Sequence, residues 1–108
     1  MLIIETSIFT RQIDNLLDAH EYRLLQIELY HRPGTGDIIP GSGGIRKMRW
    51  GLGSQGKRGG LRILYYFIDN DDVIYMLLAY KKSKQEDLTP KQMKKLKKLV
   101  EKELHSHN

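Results

Sequence analysis

The chain contains no cysteine. That excludes a disulfide framework, a thiolate nucleophile and a Cys-ligated zinc. Long apolar runs are also missing. The longest, Val73 to Tyr80, is eight residues, against the roughly 18 a membrane span needs. The N-terminal MLIIE has no basic flank, and Glu5 interrupts it at once, so neither a signal peptide nor a membrane anchor is expected, and the expected compartment is the cytoplasm. No Gly-rich loop ends in Gly-Lys-Ser/Thr, which removes a nucleotide P-loop. Gly41-Ser42-Gly43-Gly44 lacks the strand–turn–helix setting of a dinucleotide fingerprint and reads as a flexible loop. His105 and His107, without a fixed third ligand, do not make a metal site. No cofactor or metal is expected.

Acidic residues are absent from one long stretch. Residues 41–68 hold six basic groups, Arg46, Lys47, Arg49, Lys57, Arg58 and Arg62, and no carboxylate. The flanking blocks, 1–40 and 69–88, are net acidic, and 89–108 is basic again through six lysines. A carboxylate-free block of this length focuses positive potential and attracts polyanions.

With 108 residues and 40% apolar content, the chain forms one domain spanning residues 1–108. Leu2 to Glu5 reads as a strand. Thr6 or Ser7 caps a helix whose Phe9, Ile13, Leu16 and Leu17 share one face. A second helix is expected from about Glu21 to His31, stopped by Arg32-Pro33-Gly34. Residues 33–44 read as a loop. Three strands follow, Ile45–Trp50, Leu61–Asp69 and Val73 to about Lys81, with a Gly-rich basic turn over 51–60. A last helix starts at Thr89-Pro90 with a capping-box Gln92, and Met93, Leu96, Val100 and Leu104 mark its apolar face. The fold class is α+β, with helices on one face of a small, mainly antiparallel sheet of three to four strands.

Alternation places Lys47 and Arg49 on one strand face, and Arg62 opposite the apolar Leu61/Ile63/Tyr65/Phe67 face of its own strand. A solvent-facing cationic palm of Lys47, Arg49 and Arg62 is therefore expected. Lys82 would close it, and Arg46, Lys57 and Arg58 would extend it. Guanidinium groups pair bidentately with phosphate, and Tyr66 and Tyr80 are candidates for stacking on bases. Metal-free RNA cleavage needs removal of the 2′-hydroxyl proton, stabilisation of charge on the phosphate and protonation of the leaving oxygen. Lysines crowded by other cations lose their ammonium preference, so Lys47 or Lys82 would act as base or acid while Arg49 and Arg62 stabilise charge.

The stretches GGIRKMRW (43–50), GKRGGLRILYYFID (56–69), YKK (80–82) and DLT (87–89) together resemble the RelE/ParE superfamily of bacterial toxin–antitoxin toxins, closest to its HigB-type, RelE-like branch. The resemblance spans nearly the whole chain. It implies a RelE-like toxin that cleaves mRNA on the ribosome, contacts ribosomal RNA, is held inactive by a cognate antitoxin, and meets operator DNA only through the antitoxin complex. It implies that Lys47, Arg49, Arg62 and Lys82 are the catalytic positions. The tyrosine that some RelE members carry shortly after the last basic position is replaced here by Leu88. Two alternatives stay open: a ParE-like, non-catalytic inhibitor of DNA gyrase, and a non-catalytic nucleic-acid-binding module.

Overall fold

A computed structural model describes residues 1–51, 60–85 and 87–106, the last four by their backbone only. Its elements run β1 (Leu2–Glu5), α1 (Ser7–Leu16), α2 (Ala19–His31), β2 (Asp37–Ile38), β3 (Arg46–Trp50), β4 (Leu61–Ile68), β5 (Val73–Lys81) and α3 (Pro90–Ser106). The strands form one five-stranded sheet in the order β1-β5-β4-β3-β2. All neighbours are antiparallel except β1 and β5, which are parallel.

The α+β class and the mainly antiparallel sheet are as expected. The strand count is not. β2 lies inside the stretch read as loop, because it is two residues long and exists only by pairing Asp37 with Lys47 and Ile38 with Arg46 across the chain. Around it the loop is ordered by local bonds. The buried Ser42 hydroxyl donates to the Ile39 carbonyl at 2.6 Å and accepts from the Ile45 amide at 2.9 Å.

Helix ends follow the capping residues. The Thr6 hydroxyl accepts from the Phe9 amide and also donates to the Leu77 carbonyl, which ties α1 to β5. Asp18 and Glu21 form a reciprocal capping box at α2, so that helix starts two residues earlier than its apolar pattern suggests. Thr89 and Gln92 do the same for α3, at 3.0 and 3.1 Å.

The helices do not share one face, which corrects the expectation. α1 and α2 cover Leu61, Ile63, Tyr65, Ile74 and Met76 with Phe9, Ile13, Leu25 and Leu29. α3 packs Leu96 and Val100 on the opposite face, against Leu64, Val73, Tyr75, Leu77 and Tyr80. A bulge between β4 and β5 pairs Leu64 with Leu78 and Tyr65 with Met76, leaving Leu77 as the extra residue. That bulge is what turns Leu77 as well as Leu78 toward the α3 layer. β5 is therefore buried on both sides, which matches its unbroken apolar sequence.

Candidate functional site

Strand pairing fixes which side chains meet. Arg49 on β3 lies directly across from Arg62 on β4, and Arg62 directly across from Tyr80 on β5. Residues opposite each other in an antiparallel pair share a face, so these three form a row across the sheet on the α3 side. One step along, Asp37, Lys47, Leu64 and Leu78 form the next row. The apolar half of α3 covers Leu64 and the strand residues beyond it, and the segment leading into the helix closes on the cationic row. Ile39, Lys47, Tyr80, Asp87, Leu88 and Met93 line a cavity of about 140 Å³ there.

The expected palm thus forms at Lys47, Arg49 and Arg62, but it does not all face solvent. Arg49 is exposed, whereas Arg62 is only 5% exposed. The reason is the second helical layer: the sheet face expected to be open is roofed by α3 and the segment before it. The Arg62 guanidinium donates to the carbonyl of its own neighbour, Leu61, at 3.3 Å. No carboxylate pairs with it among the described residues. Burying a charge without a counter-charge costs several kcal/mol in general. An anion at this point would recover part of that cost, which makes Arg62 a candidate anion ligand.

Lys47 is held differently. Its ammonium donates to the Asp87 carboxylate at 3.0 Å. Asp87 is in turn fixed near the α3 cap: the Gln85 side chain donates to the Asp87 carbonyl at 2.8 Å and to Gln92 at 2.7 Å. Sequence reasoning gave Asp87 no place in the site, although it lies in the acidic block 69–88 and opens the DLT stretch. The DLT cap motif next to a basic strand was the available signal. The Tyr80 phenol has its pKa raised, first by burial and second by the Asp87 carboxylate, with Arg62 opposing. At neutral pH it is therefore a proton-bearing hydroxyl beside Arg62.

Lys82 follows β5 in a turn. Its amide donates to the Gly60 carbonyl at 3.3 Å, which carries the β4–β5 pairing one residue past the strand end. Gly60 is required at that junction, because a Cβ there would stand 2.3 Å from the Trp50 carbonyl oxygen. Arg46 is not brought to the cluster. It sits opposite Tyr65 on the other face, and its guanidinium donates to the Gly34 and Gly36 carbonyls at 3.3 and 2.7 Å. Tyr66 is on the α3 face but beneath the helix, packed with its apolar layer. Lys57 and Arg58 lie outside the described residues. Also among the described residues, no group of three metal-ligating side chains converges and no helix is long and apolar enough to cross a membrane.

Chemically, the two rows together offer two guanidinium groups, an ammonium and a neutral phenol on one rigid sheet. That set suits a phosphodiester anion: fork-shaped donors for its oxygens and a proton-bearing group beside them. No family model matches the chain. Solved structures do. A mutant of the E. coli toxin RelE in the free state matches with a TM-score of 0.55 and 18% identity, over 79% of this chain and 86% of that one. The chain has the fold of toxin RelE. The intact E. coli RelBE toxin–antitoxin complex matches with a TM-score of 0.54 and 18% identity, over 74% of this chain and 94% of that one. At this identity the RelE likeness is one of fold, and the side chains of the row have to carry the functional argument.

Proposed function

We propose that the protein is the toxin of a bacterial toxin–antitoxin pair, of the HigB-type, RelE-like branch, and that it cuts mRNA on the ribosome. The observation that carries the reading is Arg62: a buried guanidinium without a carboxylate partner among the described residues, in one row with Arg49 and Tyr80 and one step from Lys47. The RelE fold supports it, as does the resemblance in the basic strand motifs.

The reaction is attack of the 2′-oxygen on the adjacent phosphorus with departure of the 5′-oxygen. Arg62 and Arg49 stabilise the charge that builds on the phosphoryl oxygens, each preorganised donor contributing roughly 10²–10³ in rate. Lys47 and Lys82 serve proton transfer, a role worth typically about 10²–10⁴. The chain carries no histidine in the row, so intrinsic catalysis is weak, and the ribosome supplies the alignment of the message. The cognate antitoxin covers or distorts the basic row with an acidic segment that folds on binding. Operator DNA is met only through that complex, and the toxin works in the cytoplasm.

Induction of the chain without its antitoxin tests this. Primer extension should show new breaks inside translated messages while protein synthesis stops. Intact messages with loss of supercoiling activity in a gyrase assay would replace this reading with the ParE-like one.

A further inference from the structure

Two of the three residues in the cationic row are out of reach of solvent. Arg62 is 5% and Tyr80 8% exposed, while Arg49 is open. A phosphate cannot bond to a guanidinium it cannot touch, so this arrangement is shut to the anion its groups fit. Asp87 and Leu88, with the first turn of α3, shut it. Leu88 and Met93 line one cavity with Tyr80 and Ile39 and belong to the apolar layer on this face of the sheet.

This roof is one unit, loosely held. Hydrogen bonds of 2.7, 2.8, 3.0 and 3.1 Å join Gln85, Asp87, Thr89 and Gln92 to one another, so they travel with the helix start and do not resist its movement. The ion pair between Lys47 and Asp87, at 3.0 Å, ties the unit to β3. Its members are 33% and 79% exposed, and pairs this open to water are weak. Ile39, Leu88 and Met93 are each only half-buried, and a space of about 140 Å³ remains between them, Lys47 and Tyr80. Side chains that face a void forgo part of their packing attraction. The closed state also carries the Arg62 charge buried without a carboxylate partner among the described residues, and opening would rehydrate it.

We propose that Asp87, Leu88 and the first turn of α3 form a lid over Arg62, closed in the free protein, and that a backbone phosphate opens it by displacing the Asp87 carboxylate from Lys47. The inference rests on the RNA-cleavage reading above and gives that site its regulation. Asp87 is an internal stand-in for the phosphate: Lys47 holds one anion before the exchange and another after it. The message meets the exposed Arg49 first, takes Lys47 from Asp87, and reaches Arg62 once the lid lifts. The observed affinity is then the intrinsic one reduced by the fraction of molecules that are open. Any change that loosens the lid should therefore tighten RNA binding, even one that alters no charge.

The first measurement is affinity for a 2′-O-methyl RNA oligonucleotide, which offers no 2′-hydroxyl for cleavage, in the absence of ribosomes. Leu88→Ala should bind roughly 3- to 10-fold tighter than wild type, although it is the less stable protein. Asp87→Asn should bind roughly 2- to 5-fold tighter, and tighter than Asp37→Asn, which removes the same charge across from Lys47 but lies outside the lid. A merely structural Leu88 gives the opposite sign, lower stability with equal or weaker binding, and that result overturns the proposal. So does an Asp87→Asn that binds no better than Asp37→Asn, or a series in which no variant binds. Phenylglyoxal labelling with peptide mapping reads the lid itself. Arg62 should react faster in Leu88→Ala than in wild type, while Arg32, whose side chain is 70% exposed, reacts alike in both; equal Arg62 rates overturn the lid. Cleavage on programmed ribosomes separates the two readings. If wild type cuts no message but the binding and labelling results appear, the nuclease reading fails and the lid stands.

Discussion

Replacing Arg62 by methionine separates what the residue does for the site from what it does for the fold. Arg62 is 5% exposed, and among the described residues its guanidinium holds only the Leu61 carbonyl, at 3.3 Å. Methionine keeps much of the buried stem and removes the charge. Replacing buried ionic groups by apolar side chains of similar volume is often neutral or stabilising by about 1–4 kcal/mol. A guanidinium without a carboxylate partner falls at the favourable end of that comparison. Arg62→Met should therefore unfold at equal or higher urea concentration than wild type, with an unchanged slope. Cleavage should move the other way. Loss of a preorganised donor to the phosphoryl oxygens costs about 2.7–4 kcal/mol, or roughly 10²–10³ in rate. Equilibrium unfolding and single-turnover cleavage of a ribosome-bound message, measured on one preparation, read both. A variant destabilised by more than ~2 kcal/mol would show that the fold needs the guanidinium. Wild-type cleavage by the same variant would remove Arg62 from the site.

Tyr65→Phe leaves the buried Gly36 amide without its partner and should cost about 1–3 kcal/mol in urea unfolding. Gly60→Ala forces a Cβ to within 2.3 Å of the Trp50 carbonyl oxygen, and should shift the β3–β4 junction and lower the melting temperature by more than any exposed substitution. Asp87→Ala removes an ion pair whose members are 33% and 79% exposed; stability should fall by no more than ~1 kcal/mol, so a change in cleavage would come from Lys47 losing its anchor. Burial raises the pKa values of Tyr22, Tyr65 and Tyr80, with Glu5 adding to the effect at Tyr22. Their neutral forms are favoured in the folded state, so the associated stability is whole below the free tyrosine value near 10 and is lost as pH rises above it. Absorbance titration should show these phenols ionising later than free tyrosine and together with alkaline unfolding, and Tyr22→Phe should weaken that pH dependence.

Period-two alternation in residues 61–68 identifies the core face correctly: Leu61, Ile63 and Tyr65 are all buried against α1 and α2. The cap residues Thr6 and Thr89 also end up where their chemistry puts them. What could not be read from one strand was the state of its second face. Arg62, Leu64 and Tyr66 look like an outer face in isolation, and only the packing of α3 decides that they are covered. The signal was present on the neighbouring strand, since Val73 to Tyr80 is apolar without alternation, as a strand buried on both sides must be. β2 was invisible because two residues carry no period. The site followed the same division. Its basic members stand out in a carboxylate-free stretch, whereas Asp87 and Asp37 come from distant segments that only sheet pairing and the α3 cap bring to Lys47.

The most direct test of the central claim is to incubate the purified protein with a message on programmed ribosomes and with the same message free in solution, and to determine the chemistry of the cut ends. The account predicts cleavage on the ribosome, little in free RNA, a 2′,3′-cyclic phosphate on the upstream fragment and a 5′-hydroxyl on the downstream one. Uncut messages on the ribosome, or a 5′-phosphate on the downstream fragment, would contradict it.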